Sequence, residues 1–293
     1  MATEVPRDQH IVSQSLLRAW TINRKLLAFN KVVGRSRLRS TKSEGYVRDF
    51  ITEQASEAEH TWKQIEDFIP VIHEGLEHDG TELSEEVLNR VSDAMALHYA
   101  RSLQQKKNFD QITRRTLDNA SQLAGADLVT VERYLNDHEL FLLPGSPASI
   151  SRAETFIRTF VKVGLPTSTI FSEGVLAHLT VAQDELAGRQ VVVVAAPQQT
   201  QFCIGDTPAQ VLNPATRQRG GPLRPDSLLV LPLSPRHLAV AGWEDAVQLD
   251  ETAVDILNQA QYAGSKTKIY VLPGAPIIGR IEQWNAASGT PDE

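Results

Sequence analysis

The chain has 293 residues, of which 41% are hydrophobic and 22% are charged. These proportions are ordinary for a globular protein and suffice for one large or two modest domains. The formal net charge of −7 argues against coating of nucleic acid by the whole surface but permits a local basic site.

The first patterned stretch is residues 10–20, which we predict to be a helix with Asp8 as its N-cap. His10, Gln14 and Arg18 recur at intervals of four, so in a helix they form one polar stripe. Leucines and a tryptophan occupy the neighbouring side. An imidazole, an amide and a guanidinium on one stripe make this stretch a candidate functional element.

Two short strands are predicted next, at residues 25–31 and 35–39. Arg35, Arg37 and Arg39 alternate along the second strand, so their guanidinium groups share one face. Residues 24–42 contain seven cations and no acid. This basic hairpin is suited to hold phosphates or a carboxylate substrate; alternatively, its basic face pairs with the acidic helix that follows.

Apolar residues at helical spacing predict a helix over residues 52–69, ended or kinked by Pro70. Glu59 and Glu66 lie seven positions apart and therefore on one face, with Trp62 between them. The other acids of this segment are expected to form a solvated face.

A longer helix is predicted over residues 85–123, capped by Thr81 or Ser84. It contains His98 and Arg101, whose spacing of three lets them present their polar ends together. A histidine on an amphipathic helix is more often structural or exposed than functional.

The breaker cluster at residues 143–148 follows a fourth predicted helix at 128–142. We place a domain boundary there, between residues 1–148 and residues 149–284, or alternatively describe the two parts as a single integrated domain. Helices are predicted at 151–163 and 168–187, and residues 285–293 are expected to be a disordered tail.

The C-terminal half has strand patterns at residues 190–195 and 200–204, and a hairpin at 227–233 and 238–242. A helix at 250–263 and a strand at 268–272 follow. The fold class is therefore α+β: a helical N-terminal half with a small basic β-hairpin, packed on a C-terminal mixed sheet with flanking helices.

Cys203, the one cysteine, excludes an internal disulfide and lies in an apolar run that predicts a buried side chain. The longest apolar runs are too short to span a bilayer, and the N-terminal residues lack the pattern of a signal peptide. We therefore expect a cytoplasmic protein with no membrane partner.

The pattern formed by His10, Gln14, Leu17, Arg18 and Trp20 resembles the opening signature of the bacterial family called domain of unknown function 4238. Serine replaces the usual proline at position 13, and Trp20 replaces a phenylalanine. The family name brings no settled activity.

Further patches extend this resemblance across the chain. Two glutamates recur in the family at the spacing of Glu59 and Glu66, and a glutamine and an arginine recur at the spacing of His98 and Arg101, so His98 is a departure. The segment 202–208, which contains Asp206, resembles a strand-end motif, and 231–235 matches a Pro-Leu-Ser-Pro motif. Asn258 stands where the family's late helix carries asparagine.

Together these residues suggest a phosphate-processing site. In one arrangement Glu59, Glu66 and Asp206 hold Mg²⁺ or Mn²⁺, with His10 as ligand or general base. The catalytic set is then completed by Gln14, Glu66 and Arg101. Arg18, His98 and the arginines at positions 35, 37 and 39 would bind substrate. A metal-free version uses His10 as base and the arginines as charge stabilisers.

Two alternatives stay open. The polar residues could form a self-satisfied buried network, with Asp206 accepting backbone bonds in a turn. Or the protein could bind nucleic acid or an acidic partner without catalysis, through the hairpin and a loop containing Arg217, Arg219 and Arg224.

Glycine-rich phosphate loops, nucleophile elbows and zinc motifs are absent from the sequence. The prediction is thus a hydrolase of nucleic acid or a phosphate-containing small molecule, as in a toxin or defence protein.

Overall fold

The computed structural model describes residues 8–51, 55–118, 127–137, 150–151, 153–154, 167–216, 223–243 and 248–288. The protein is α+β, with helices concentrated in the N-terminal half. The helices are α1 Gln14–Leu17, α2 Ala55–Glu66, α3 Ile69–His78, α4 Glu85–Ala100, α5 Leu103–Asp118, α6 Leu128–Asp137, α7 Thr167–Ala187, α8 Glu251–Gly264 and α9 Ile277–Ser288. The strands are β1 Asp8–His10, β2 Leu26–Asn30, β3 Arg35–Arg39, β4 Tyr46–Arg48, β5 Val191–Ala195, β6 Ile204–Gly205, β7 Gln210–Leu212, β8 Leu228–Pro232, β9 His237–Ala241 and β10 Lys268–Val271.

These strands form three antiparallel sheets in the described part of the chain. β1 pairs with β4, the second sheet has the order β3-β2-β10-β6, and the third has the order β5-β9-β8-β7. The sequence predicted a mixed sheet, but every described pairing is antiparallel. The β-branched and leucine-rich strands β8 and β9 are almost wholly buried, since helices cover the third sheet.

The two halves of the chain share one sheet. The basic hairpin β2–β3 pairs with β10, from near the end of the described chain, with Phe29 opposite Ile269. Trp20 links the halves again, because its indole nitrogen donates to the carbonyl of Phe202 over 3.0 Å. The largest apolar cluster accordingly draws on α1, α4, α7 and the third sheet.

The predicted helix at residues 10–20 is wrong at its start. His10 lies in β1 opposite Tyr46, and Asp8 is the first residue of that strand rather than an N-cap. Gln9 fixes β1 in place, because its amide accepts from Ile51 N over 2.6 Å and donates to Ile51 O over 2.9 Å. Helix begins only at Gln14, and a 3₁₀ turn over Arg18–Trp20 ends it.

A glycine makes the junction of β4 with this segment possible. Gly45 has φ +75°, and its carbonyl accepts from Ile11 N and Val12 N at 2.8 and 2.9 Å. A Cβ at this position would lie 2.8 Å from Val12 O. The backbone of residues 44–46 can therefore lie directly against the backbone of Ile11 and Val12.

The helix predicted at 52–69 ends close to the stop predicted at Pro70, whereas the helix predicted at 85–123 is interrupted. The segment 52–69 ends as helix at Glu66, and Pro70 takes the first turn of a new helix, α3, where its missing N–H costs nothing. The segment 85–123 breaks at Arg101 and Ser102, between α4 and α5. Ser84 is the N-cap of α4 as predicted, accepting from Val87 N over 3.4 Å.

The C-terminal half follows the predicted helix and most of the predicted strands, but the strand predicted at 200–204 is strand only from Ile204, in β6. β7 and α9 were not predicted, and α9 extends to Ser288, into the segment expected to be a disordered tail. The breaker cluster at 143–148 and most of the predicted helix at 151–163 lie outside the described residues. Among those that are described, no helix combines the length and apolarity needed to cross a membrane.

Candidate functional site

Arg101 is the centre of the candidate site. It caps α4, where the helix breaks, and its side chain is only 1% exposed. The guanidinium forms an ion pair with Glu66, at the end of α2, and lies over the ring of Trp62 with 5.2 Å to the ring centroid. The break in the helix therefore places a buried cation against the face of α2 that carries the two predicted glutamates.

His10 approaches the same place from β1. Its Nε2 lies 2.7 Å from the amide nitrogen of Gln14, which can only donate, so Nε2 accepts and the ring proton is on Nδ1. Tyr46, paired with it across the strands, stands edge-on to the ring at 6.1 Å. Burial lowers the pKa of His10, with Glu66 opposing this shift and Arg101 adding to it. The imidazole is therefore neutral near pH 7.

His98, one turn before Arg101 in α4, is completely buried. Burial lowers the pKa of His98 well below its ordinary value, and the charge of Arg101 lowers it further. The carbonyl of Ile11 is close enough to oppose these effects. Neither ring nitrogen of His98 makes a hydrogen bond of regular geometry to a described residue.

Glu59 stands two turns before Glu66 on α2. Burial raises the pKa of Glu59, Arg101 opposes that rise, and the neighbouring Glu66 adds to it. Its Oε1 is buried and has no hydrogen-bond partner in the described part of the chain. Glu59 is thus a carboxyl group with a raised pKa beside a carboxylate held by arginine.

These residues form what we call the polar cluster, which comprises His10, Gln14, Glu59, Trp62, Glu66, His98 and Arg101. Several of its buried atoms make no hydrogen bond of regular geometry to a described residue: His10 Nδ1, Glu59 Oε1, Trp62 Nε1, both nitrogens of His98 and Arg101 Nε. A self-satisfied network would pair these atoms, because each unpaired buried group costs about 1–3 kcal/mol. Most of them are donors, which suits an anionic ligand.

Asp206 lies elsewhere, at the end of β6. Its carboxylate accepts from the backbone N–H groups of Lys266 and Thr267 and from the Thr267 hydroxyl, each over 2.7 Å, and from Lys268 N over 3.0 Å. Among the described residues, no three His, Cys, Asp or Glu side chains are grouped as metal ligands. The structure therefore does not bring Asp206 together with Glu59 and Glu66 as a three-carboxylate metal site.

The remaining predicted binding residues lie outside the polar cluster. Arg18 is exposed on the 3₁₀ turn. Arg35, Arg37 and Arg39 line a separate cleft beside β3, and none of the described ion pairs joins them to α2. Arg39 instead lies 3.7 Å from Glu44. Arg224 is exposed, whereas Arg217 and Arg219 lie outside the described residues.

Sequence reasoning missed several residues of these sites. From the sequence, Trp62 is predicted only as a core aromatic residue, so its unpaired indole N–H is not anticipated. Ser13 also has a buried hydroxyl without a described partner, at a position where the chain differs from the family pattern. Glu44 and Lys268, which form an ion pair of 2.6 Å at the cleft, are far apart in the chain. Only the pairing of β2 with β10 brings Lys268 there, and no periodicity in the sequence indicates it.

Comparison with known proteins gives a family and no relative. A family model described as "Protein of unknown function (DUF4238)" matches residues 8–273. Searches of curated proteins and of solved structures find no match.

Proposed function

The chain belongs to the DUF4238 family, and we propose that it is a hydrolase of a phosphate-containing substrate, with nucleic acid as the favoured class. The observation that carries this proposal is the set of unmet donors around Arg101 in the polar cluster. A buried guanidinium with a free Nε–H, beside an indole N–H and a neutral imidazole, is suited to the oxygens of a phosphate group.

The polar cluster also contains the two proton-transfer groups that hydrolysis needs. His10 is neutral because burial lowers its pKa, so it can accept a proton. Glu59 has a raised pKa and can supply one. Burial is the main cause of both shifts, because it favours the neutral imidazole of His10 and the neutral carboxyl of Glu59.

The reaction balances with these groups. A water molecule replaces the Gln14 amide at His10 Nε2, gives its proton to that nitrogen and attacks phosphorus through its oxygen. The ester P–O bond breaks, and protonated Glu59 gives its proton to the leaving oxygen. Arg101, held in place by Glu66, and an N–H of His98 stabilise the phosphoryl oxygens. In a second version, Glu59 and Glu66 would hold Mg²⁺ or Mn²⁺, which would supply Lewis-acid stabilisation of the phosphoryl oxygens.

A binding protein without catalysis is the second candidate function, for nucleic acid or an acidic partner. It is favoured by the exposed arginines of β3, which do not need the polar cluster. Both functions belong to a cytoplasmic protein, the compartment that the single buried cysteine favours.

The test is incubation of the purified protein with RNA, DNA and nucleotides, with and without Mg²⁺ or Mn²⁺. We expect product formation that falls by about 10²–10⁴-fold in His10→Ala, because the general base is lost. Glu66→Gln should also lose activity, because Arg101 loses the carboxylate that positions it.

Matched controls come from the exposed face of α2, where His60→Ala and Glu57→Gln should retain full activity. Circular dichroism would establish that each variant is folded. Absence of any product from the wild-type protein under all conditions, with oligonucleotide still bound, would favour the binding role.

A further inference from the structure

A second cationic site lies beside β3. We call it the basic cleft: a depression of about 200 Å³ whose charged lining is Arg35, Arg37, Arg39, Lys268 and Glu44. Four cations and one carboxylate meet here on a protein whose net charge is −7. The cleft is therefore an exception to the charge of the whole molecule.

Strand register explains how the basic cleft is built. Arg35 lies opposite Asn30, which lies opposite Lys268, so one row across three strands carries two cations and an amide. In the next row Arg37 lies opposite Ala28, and Ala28 lies opposite Tyr270. Since side chains in such rows lie on one face of the sheet, the small Ala28 leaves the depression that the arginines surround.

The charges in the basic cleft are unevenly satisfied. Glu44 is 4% exposed and engages Lys268 over 2.6 Å and Arg39 over 3.7 Å. Arg35 and Arg37, in contrast, make no ion pair with any residue that the structure describes. Two exposed guanidinium groups two positions apart on a strand, with no carboxylate of their own, are suited to oxygen-rich anions.

We propose that the basic cleft binds a phosphate group, and that its ligand is the backbone of a nucleic acid. This inference deepens the proposed function and rests on its substrate class. The segment 44–46 separates the basic cleft from the polar cluster: the Glu44 side chain lines the cleft, whereas the Tyr46 ring contacts His10. One extended phosphodiester chain can thus be held on one side of this segment and cleaved on the other.

The test is binding of a fluorescent single-stranded oligonucleotide, measured by anisotropy at several salt concentrations. All further substitutions are made in the His10→Ala variant, so that cleavage does not consume the probe and binding is measured independently of hydrolysis. We expect Arg35→Gln/Arg37→Gln to weaken binding by about tenfold for each arginine. The slope of log K against log salt should become shallower by about 1.4, since two phosphate contacts are lost.

Two further variants sharpen the test. Lys107→Gln/Arg280→Gln removes the same charge from exposed positions outside the cleft and should leave binding unchanged. Glu44→Gln should tighten binding, because Lys268 and Arg39 then lose their internal carboxylate.

Inorganic phosphate should compete with the oligonucleotide, and competition by mononucleotides at similar concentration would assign the cleft to free nucleotides instead of a polymer. Polyglutamate competing as well as oligonucleotide would overturn the proposal in favour of an acidic protein partner. Equal binding by the Arg35→Gln/Arg37→Gln variant and its charge-matched control would also overturn it. The proposal would also be overturned if the wild-type protein cleaves nucleotides but its oligonucleotide binding does not depend on Arg35 and Arg37.

Discussion

At the scale of single residues, the most informative feature is the pair of His98 and Arg101. A neutral imidazole and a cation are buried within one turn of each other, and both retain atoms without a described partner. Such an arrangement reduces stability, since each buried polar group gives up its hydration. A ligand that hydrogen-bonds to the unpaired nitrogens of His98 and Arg101 would offset this cost.

The cost of His98 can be measured through pH. Its pKa is lowered in the folded protein, so below pH 6.5 the unfolded chain takes up a proton that the folded chain does not. We expect stability to fall with falling pH, by about 1.4 kcal/mol for each unit below 6.5 from this residue alone. Urea denaturation of the wild-type protein and His98→Gln between pH 7 and pH 5 should show a shallower dependence in the variant. If stability depends on pH equally in the wild-type protein and in His98→Gln, then the pKa of His98 is not lowered and His98 takes up its proton in the folded state as well.

At the scale of elements, Asp206 illustrates how a motif residue can be structural. It fixes the turn before β10 to the end of β6 through four hydrogen bonds. This contact sets the position of Lys268 and hence of one side of the basic cleft.

Asp206→Ala should therefore destabilise the protein by about 3 kcal/mol, since three backbone N–H groups and a hydroxyl lose a charged acceptor. Asp250→Ala removes one helix-cap bond of 2.7 Å and should cost about 1 kcal/mol, which makes it a suitable comparison. Thermal melts of both variants with and without a chelator measure the effect. A wild-type melting temperature that falls on chelation, by an amount that Asp206→Ala abolishes, would restore the metal role for Asp206.

The elements also show what could be predicted from sequence. Strands β2 and β3, the N-cap Ser84 and the helix at 250–263 follow local patterns of two or 3.6 residues, and the structure confirms them. The spacing of four between His10, Gln14 and Arg18 predicts a helix that includes His10. Pairing with Tyr46, about 36 positions later, overrides that local preference. The helix break at Arg101 likewise accompanies a tertiary contact, the buried ion pair with Glu66. No local sequence pattern around Arg101 indicates that contact.

At the scale of the whole molecule, the two sites depend on long-range pairing. The polar cluster joins β1, α2 and α4, and the basic cleft joins β2, β3 and β10. Sequence reasoning correctly predicted the α+β class and the family. Which polar residues meet is fixed by strand register and helix breaks that no single segment encodes.

We propose that the polar cluster binds an anion through its unmet donors. Nitrogen-15 NMR of the histidine side chains, recorded while inorganic phosphate is added, tests this directly. We expect the His98 and His10 resonances to move together in a saturable manner, while the resonances of the exposed His60 on α2 stay unchanged. In Arg101→Gln the response should disappear. Unchanged His98 and His10 resonances at saturating phosphate, in a folded wild-type protein, would contradict the claim.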